Sequence, residues 1–82
     1  DRLVNRLGGN LLRYATDKAR PSTFSDLTRL LSSEDRRKLH RMFDRDMEAA
    51  SADFVRRGYL RRTDDGYFLP GNGVDVEMWR QK

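Results

Sequence analysis

Apolar side chains recur every three or four positions along residues 2–20, which predicts a first helix with one apolar face. Two adjacent glycines, Gly8 and Gly9, fall inside this pattern and cost about 2 kcal/mol relative to two alanines. The helix therefore either kinks there or lets another backbone pack closely against it. Pro21 ends the helix, because the residue before a proline is driven out of the helical region. The apolar positions are Leu3, Val4, Leu7, Leu11, Leu12, Tyr14, Ala15 and Ala19.

Residues 25–57 predict two further helices. Ser25 is expected to cap a short second helix that ends at Leu31. Acidic residues at positions 34 and 35 suit the start of a third helix, because they oppose the positive end of the helix dipole. The pattern then continues to residue 57 and stops at Gly58, which predicts one long helix, although two helices with a bend near residues 43–45 remain an alternative. The expected core positions of this helix are Leu39, Phe43, Met47, Ala50 and Phe54.

The end of the chain predicts a β-hairpin and a tail. A strand over residues 59–63 is followed by Asp64-Asp65-Gly66, a strong turn signal, and by a return strand closed by Pro70. The tail, residues 71–82, contains Trp79 and has no clear periodicity. We expect residues 1–82 to form a single domain that is mostly α-helical with a small β-hairpin.

Composition excludes most catalytic chemistry. The chain has 82 residues, no cysteine and one histidine, His40, so a disulfide framework, a thiolate zinc site and a two-histidine metal site are excluded. Neither Gly8-Gly9 nor Gly71-Asn72-Gly73 has the spacing of a phosphate-binding loop. We therefore expect no enzyme activity, no cofactor and no small-molecule substrate.

The ends and the hydropathy of the chain bear on its setting. No apolar run approaches the roughly 18 residues of a membrane span, so no membrane partner is expected. The sequence begins with Asp1 and not with methionine, which suggests a domain excised from a longer protein. Without an apolar leader segment, an intracellular location is expected, in the cytoplasm, nucleoid or nucleus.

Positive charge is concentrated in the first half of the chain. Seventeen Lys and Arg oppose thirteen Asp and Glu, which gives a net charge of +4. Residues 1–41 hold ten cations and five anions, whereas residues 42–82 hold seven cations and eight anions. A concentration of positive charge favours a nucleic-acid partner. The competing interpretation is a solvated helix face that is neutralised by nearby acids. The densest basic stretch is Arg36, Arg37, Lys38, Arg41 and Arg45.

The order of three helices and a hairpin resembles a winged helix-turn-helix domain over residues 2–70. The matching segments are Phe24–Leu31, Ala49–Arg62 and Asp64–Leu69. The resemblance implies that the exposed face of the third helix reads double-stranded DNA and that the wing, residues 59–70, contacts its backbone. The implied DNA contacts are Arg36, Arg37, Lys38, Arg41 and Arg45 on the helix and Arg61 and Arg62 on the wing.

The same residues allow a different interpretation. Arg41 with Asp44 and Arg45 with Glu48 stand at helical spacing and would pair with each other. Winged helices also act as protein–protein interaction or dimerisation modules, and the acidic turn at residues 64–65 suits such a role. On that hypothesis a protein partner or the parent protein contacts apolar residues of the first helix and the tail. The interface candidates are Leu3, Leu7, Leu11 and Trp79.

Overall fold

The computed structural model describes residues 2–71, which form four helices and one hairpin. The expected mostly helical class with a small β-hairpin is confirmed. The predicted tail lies, apart from Gly71, outside the described residues, and so does Trp79. The elements are α1 Arg2–Lys18, α2 Phe24–Thr28, α3 Ser33–Met42, α4 Met47–Arg56, β1 Leu60–Arg62 and β2 Phe68–Pro70.

The first helix runs through its two glycines without interruption. A Cβ atom on Gly8 would lie 2.4 Å from the ring of Tyr59, so the close neighbour is an aromatic ring and not a second backbone. The Tyr59 hydroxyl donates a hydrogen bond to Asn5 Oδ1 at 3.0 Å. The helix ends at Lys18, two residues before the predicted end, because Ala19 takes a left-handed conformation with φ of 56°.

The cap of α2 lies two residues before the predicted position. Thr23, and not Ser25, caps α2: its hydroxyl accepts from the Asp26 N–H at 3.0 Å, and Asp26 accepts from the Thr23 N–H at 3.4 Å. Hydrogen bonds to the Asp26 carboxylate, first from the side chain and then from the backbone of Thr23, lower its pKa. Ser32 caps α3 by accepting from the Asp35 N–H at 3.1 Å. Both helices thus begin where a hydroxyl can reach the third N–H of the helix.

The single long helix expected over residues 34–57 is wrong, and the alternative of two helices is the observed one. Asp44 and Arg45 adopt φ of 52° and 63°, values that an α-helix does not contain. The Arg45 N–H donates to the His40 carbonyl at 2.7 Å and closes α3. Asp46 then caps α4 by accepting from the Ala49 N–H at 3.0 Å. No proline or glycine marks this break.

The hairpin forms at the predicted turn. Its strands pair antiparallel, with Arg61 opposite Leu69, and Gly66 supplies the left-handed φ of 87° that the turn requires. Ser22 adds a short extended segment to the hairpin, because its backbone exchanges hydrogen bonds of 3.0 and 2.7 Å with Phe68. The segment between α1 and α2 is thereby fixed to the last strand.

Phe54 lies at the centre of the core. Its ring is fully buried, with ring centroids 6.3 Å from Phe24, 6.1 Å from Phe43 and 6.3 Å from Tyr59. Around it lie the buried leucines Leu7, Leu11, Leu27, Leu39 and Leu60.

The burial of α1 corrects one expectation. Leu7 and Leu11 were interface candidates, yet both side chains have no exposed surface to offer a partner. Leu3 is half-buried and packs against the same cluster. The apolar face of α1 therefore serves the core of this domain. Within residues 2–71, no helix is both long and apolar enough to cross a membrane.

Because Gly8 contacts Tyr59, alanine substitutions at Gly8 and at Gly9 should have opposite effects on stability. Gly8→Ala would drive a methyl group into the ring and lower the free energy of unfolding by about 1–3 kcal/mol. Gly9→Ala, at a half-exposed position of the same helix, should raise it by up to about 1 kcal/mol through helix propensity. Thermal unfolding followed by circular dichroism tests both variants. Equal effects of the two substitutions would contradict the contact.

The left-handed turn makes a second prediction. Arg45→Gly should raise the free energy of unfolding by about 0.5–1 kcal/mol, because the left-handed region costs other residues about 1–2 kcal/mol and glycine's greater freedom when unfolded offsets part of this gain. Arg45→Ala keeps the conformational cost and is the control. Urea unfolding of the two variants should separate them, and a destabilised glycine variant would refute the strain.

Candidate nucleic-acid interface

Three predicted DNA contacts form one exposed group. Arg37 and Arg41 lie one turn apart on α3, Arg45 follows in the turn to α4, and all three are exposed. We call these three residues the α3 arginine surface. Within residues 2–71, no acid forms an ion pair with any of them.

The ion pairs expected to neutralise this surface do not form between the residues concerned. Arg41–Asp44 and Arg45–Glu48 would need one continuous helix to hold them at a spacing of three residues. The left-handed turn removes Asp44 and Arg45 from that spacing. Glu48 pairs instead with Arg62, at 2.6 Å. The two ion pairs that the interpretation of a neutralised helix face predicted are therefore absent among residues 2–71.

The other two basic residues of α3 are engaged within the fold. Lys38 pairs with Glu34 at 2.9 Å, and this hydrogen bond lowers the pKa of the Glu34 carboxyl. Arg36 is half-buried, and its Nη2 donates to the carbonyls of Leu31 at 3.3 Å and Arg29 at 3.5 Å. It thus ties α3 to the end of the preceding segment and does not lie on the arginine surface.

The two hairpin arginines make different contacts, as strand alternation predicts. Arg61 is exposed, and its Nε donates to the Pro70 carbonyl at 3.0 Å. Arg62 extends to Glu48 on α4, and its guanidinium carbon lies 5.5 Å from the centre of the Phe68 ring. Arg61 is therefore the hairpin arginine whose charge has no acidic partner among residues 2–71.

The helix that leads into the hairpin is not basic on its outer side. The exposed residues of α4 include Glu48, Ala49 and Ala52. Its two C-terminal arginines both bind Asp53: Arg56 forms a close ion pair, and Arg57 lies at 2.7 Å. The resemblance assigned base reading to one helix that carried the basic run and led into the wing. In the structure, α3 carries most of the basic run, whereas α4 leads into the hairpin.

Asp53 is a carboxylate held by this network. Partial burial alone would raise its pKa, but the hydrogen bonds from Arg57 and Arg56 outweigh burial and lower the pKa below its ordinary value of 3.8. Only 12% of its side chain is exposed. Its charge therefore stabilises the end of α4.

A cleft between α2, α3, α4 and the hairpin brings together residues that are distant in sequence. Its volume is about 400 Å³, and Arg36 and Arg62 both line it. Arg29 and His40 line it too, although neither was a predicted contact. Sequence reasoning missed them because the elements that carry them come together only through tertiary packing. No cluster of residues fit to bind a metal ion occurs in the described part of the chain.

No family model, curated protein or solved structure matches this chain. The function must therefore be inferred from the chemistry of the surface and of the cleft.

The low pKa of Asp53 predicts a pH-dependent contribution to stability. Asp53→Asn should lower the free energy of unfolding at neutral pH by about 1–2 kcal/mol, since charge-assisted hydrogen bonds are lost. Because the pKa is lowered on folding, this contribution is fully present above pH 3.8 and is lost as the pH falls through the pKa of the folded state.

Urea unfolding of the two proteins between neutral pH and about pH 3 measures this difference, which should shrink on acidification. Asp64→Asn removes an exposed carboxylate from the hairpin turn and is the matched control, with an expected change below about 0.5 kcal/mol. A difference between wild type and Asp53→Asn that stays constant with pH would exclude the charge as its cause.

Proposed function

We propose that this chain is a winged-helix domain that binds duplex DNA through the α3 arginine surface. The observation that carries the proposal is the exposure of Arg37, Arg41 and Arg45, none of which forms an ion pair among residues 2–71. The order of the elements supports the winged-helix assignment: a helix, an extended segment at Ser22, further helices, and a hairpin that pairs with that segment.

Arginines without partners suit phosphate binding. A guanidinium group presents a planar fork of donors that matches two phosphate oxygens. These three arginines can bind phosphates without breaking an existing ion pair, whereas Lys38 and Arg62 would first have to leave Glu34 and Glu48. Phosphate contacts position a protein on DNA but carry no direct sequence information. We therefore expect binding that tolerates many sequences.

The hairpin adds a secondary contact in this proposal. Arg61 is exposed, and among residues 2–71 only its Nε is bonded, to the Pro70 carbonyl. Its terminal nitrogens remain available to a backbone phosphate, the contact that a wing makes in the resembled domains. Asp64 and Asp65 at the turn are exposed carboxylates, so the tip itself should stay away from phosphates.

One observation favours a second candidate, a winged-helix module for protein interaction. Exposed acids lie on α4, at Glu48, and in the hairpin turn, at Asp64 and Asp65. These groups repel phosphate but suit a basic protein partner. The interaction would then use α4 and the hairpin, while the α3 arginine surface would stay solvated.

Fluorescence anisotropy with labelled random-sequence duplex DNA tests the first candidate. The three phosphate contacts of the α3 arginine surface predict a log–log salt slope of about −2.7, or roughly 40-fold weaker binding when salt rises from about 50 to 200 mM, and the Arg61 contact makes the slope steeper by about 0.9. Arg37→Glu/Arg41→Glu should weaken binding at low salt at least about tenfold and flatten the slope.

Arg13→Glu/Arg20→Glu is the matched control, because it changes the net charge equally at exposed positions on α1 and the segment after it. It should bind DNA nearly as well as the wild type. If both double variants lose affinity equally, only net charge matters. If the folded wild type does not bind at low salt, DNA binding is refuted and a search for protein partners of α4 and the hairpin follows.

A further inference from the structure

The cleft between the helices and the hairpin has the chemistry of an anion site. Arg36 of α3 and Arg62 of β1 line it from two sides, and Arg29 lines it from the segment after α2. His40 completes the cationic and imidazole part of the lining, and Glu48 is the one carboxylate among the described residues that line it. The volume of about 400 Å³ is enough for a small ligand.

Arg36, which lines this cleft, carries an unsatisfied buried donor. Its Nη2 binds backbone carbonyls, but its Nε is buried and has no hydrogen-bond partner among residues 2–71. A buried donor of a charged group without an acceptor is costly, and native proteins satisfy nearly all such groups. The guanidinium is fixed by its carbonyl contacts, so it cannot swing out to water without breaking them. An anion in the cleft would compensate the positive charge of this guanidinium, which forms no ion pair among residues 2–71.

The balance of charge in the cleft indicates which anion fits. Arg29, Arg36 and Arg62 supply three positive charges, and Glu48 supplies one negative charge. Glu48 is 72% exposed in its side chain and pairs with Arg62 alone. The remaining two positive charges match a phosphate group, which carries a charge of about −1.5 to −2 as a monoester at neutral pH. A single carboxylate would leave one of these charges without a counterpart.

We infer that this cleft binds a phosphate group, with Arg36 as its central donor and Arg29 and Arg62 as flanking cations. The bound phosphate accepts from the Arg36 guanidinium and competes with Glu48 for Arg62. This site is distinct from the α3 arginine surface, because Arg37, Arg41 and Arg45 are not among the lining residues. The inference does not depend on the proposed DNA binding, since a free phosphate compound and a nucleic-acid backbone present the same chemical group.

Titration of the whole chain with inorganic phosphate, followed by amide NMR chemical shifts in chloride buffer, tests the site directly. We expect saturable shifts confined to α2, the Arg36 side of α3, the start of α4 and the hairpin. Arg36→Gln should weaken phosphate binding about tenfold, whereas Arg37→Gln, one position away on the exposed side, should leave it unchanged. Glu48→Gln should tighten binding several-fold, because it removes the competing carboxylate.

A second weakening variant and a folding check are needed to interpret these results. Because Arg36→Gln also removes carbonyl contacts, Arg62→Gln serves as a second weakening variant, and circular dichroism verifies that each variant is folded. The inference is overturned if neither the wild type nor Glu48→Gln binds phosphate saturably. It is also overturned if Arg36→Gln and Arg37→Gln weaken phosphate binding equally.

A DNA arm then identifies the source of the phosphate. If Glu48→Gln also tightens duplex DNA binding and free phosphate competes with the duplex, the cleft accepts a backbone phosphate. If DNA binding is absent or insensitive to these variants while inorganic phosphate still binds, the site serves a free phosphate compound. Both results support the phosphate site, and failure of DNA binding alone affects only the proposed function.

Discussion

The left-handed turn at Asp44 and Arg45 is the constraint on which the candidate sites depend. It ends α3 after ten residues and lets Asp46 start α4 as a separate helix. Leu39 of α3 and Phe54 of α4 both pack in one core. The same break keeps Arg45 out of helical spacing with Glu48. It therefore leaves the α3 arginine surface without ion pairs among residues 2–71, and it lets Glu48 pair with the hairpin.

Tyr59 connects the two ends of the described fold. Its ring covers Gly8 in the middle of α1, its hydroxyl bonds Asn5, and its carbonyl accepts from the Gly71 N–H at 2.9 Å. The glycine in α1 costs helix propensity, but it lets an aromatic ring pack against the helix backbone at a distance that no side chain would permit. The hairpin is thus held on α1 from its first residue, and Ser22 fixes its last strand from the other side.

The cations of this domain divide into those with structural roles and those that remain available. Lys38, Arg56, Arg57 and Arg62 bind acids, and Arg36 binds carbonyl groups. The exposed pairs of Lys38 and Arg62 contribute little to stability, so they are weak barriers to exchange with an incoming phosphate. The α3 arginine surface and the cleft would bind an anion in two different ways. The first needs no rearrangement, whereas in the second Arg62 must leave Glu48 before it binds the anion.

Periodicity and turn chemistry alone determined the helical class, the hairpin at Asp64-Asp65-Gly66 and most of the core, because these depend on contacts between neighbours in sequence. They also identified Arg37, Arg41 and Arg45 as exposed cations. The break in the long helix was not determined, since ordinary residues at positions 43–46 adopt left-handed backbone only when packing on both sides compensates the strain. Tertiary structure likewise decided that Leu7 and Leu11 are buried, that Gly8 packs against Tyr59, and that Arg36 and Arg62 line one cleft. Each depends on which elements meet in space, and a pattern along one chain does not contain that information.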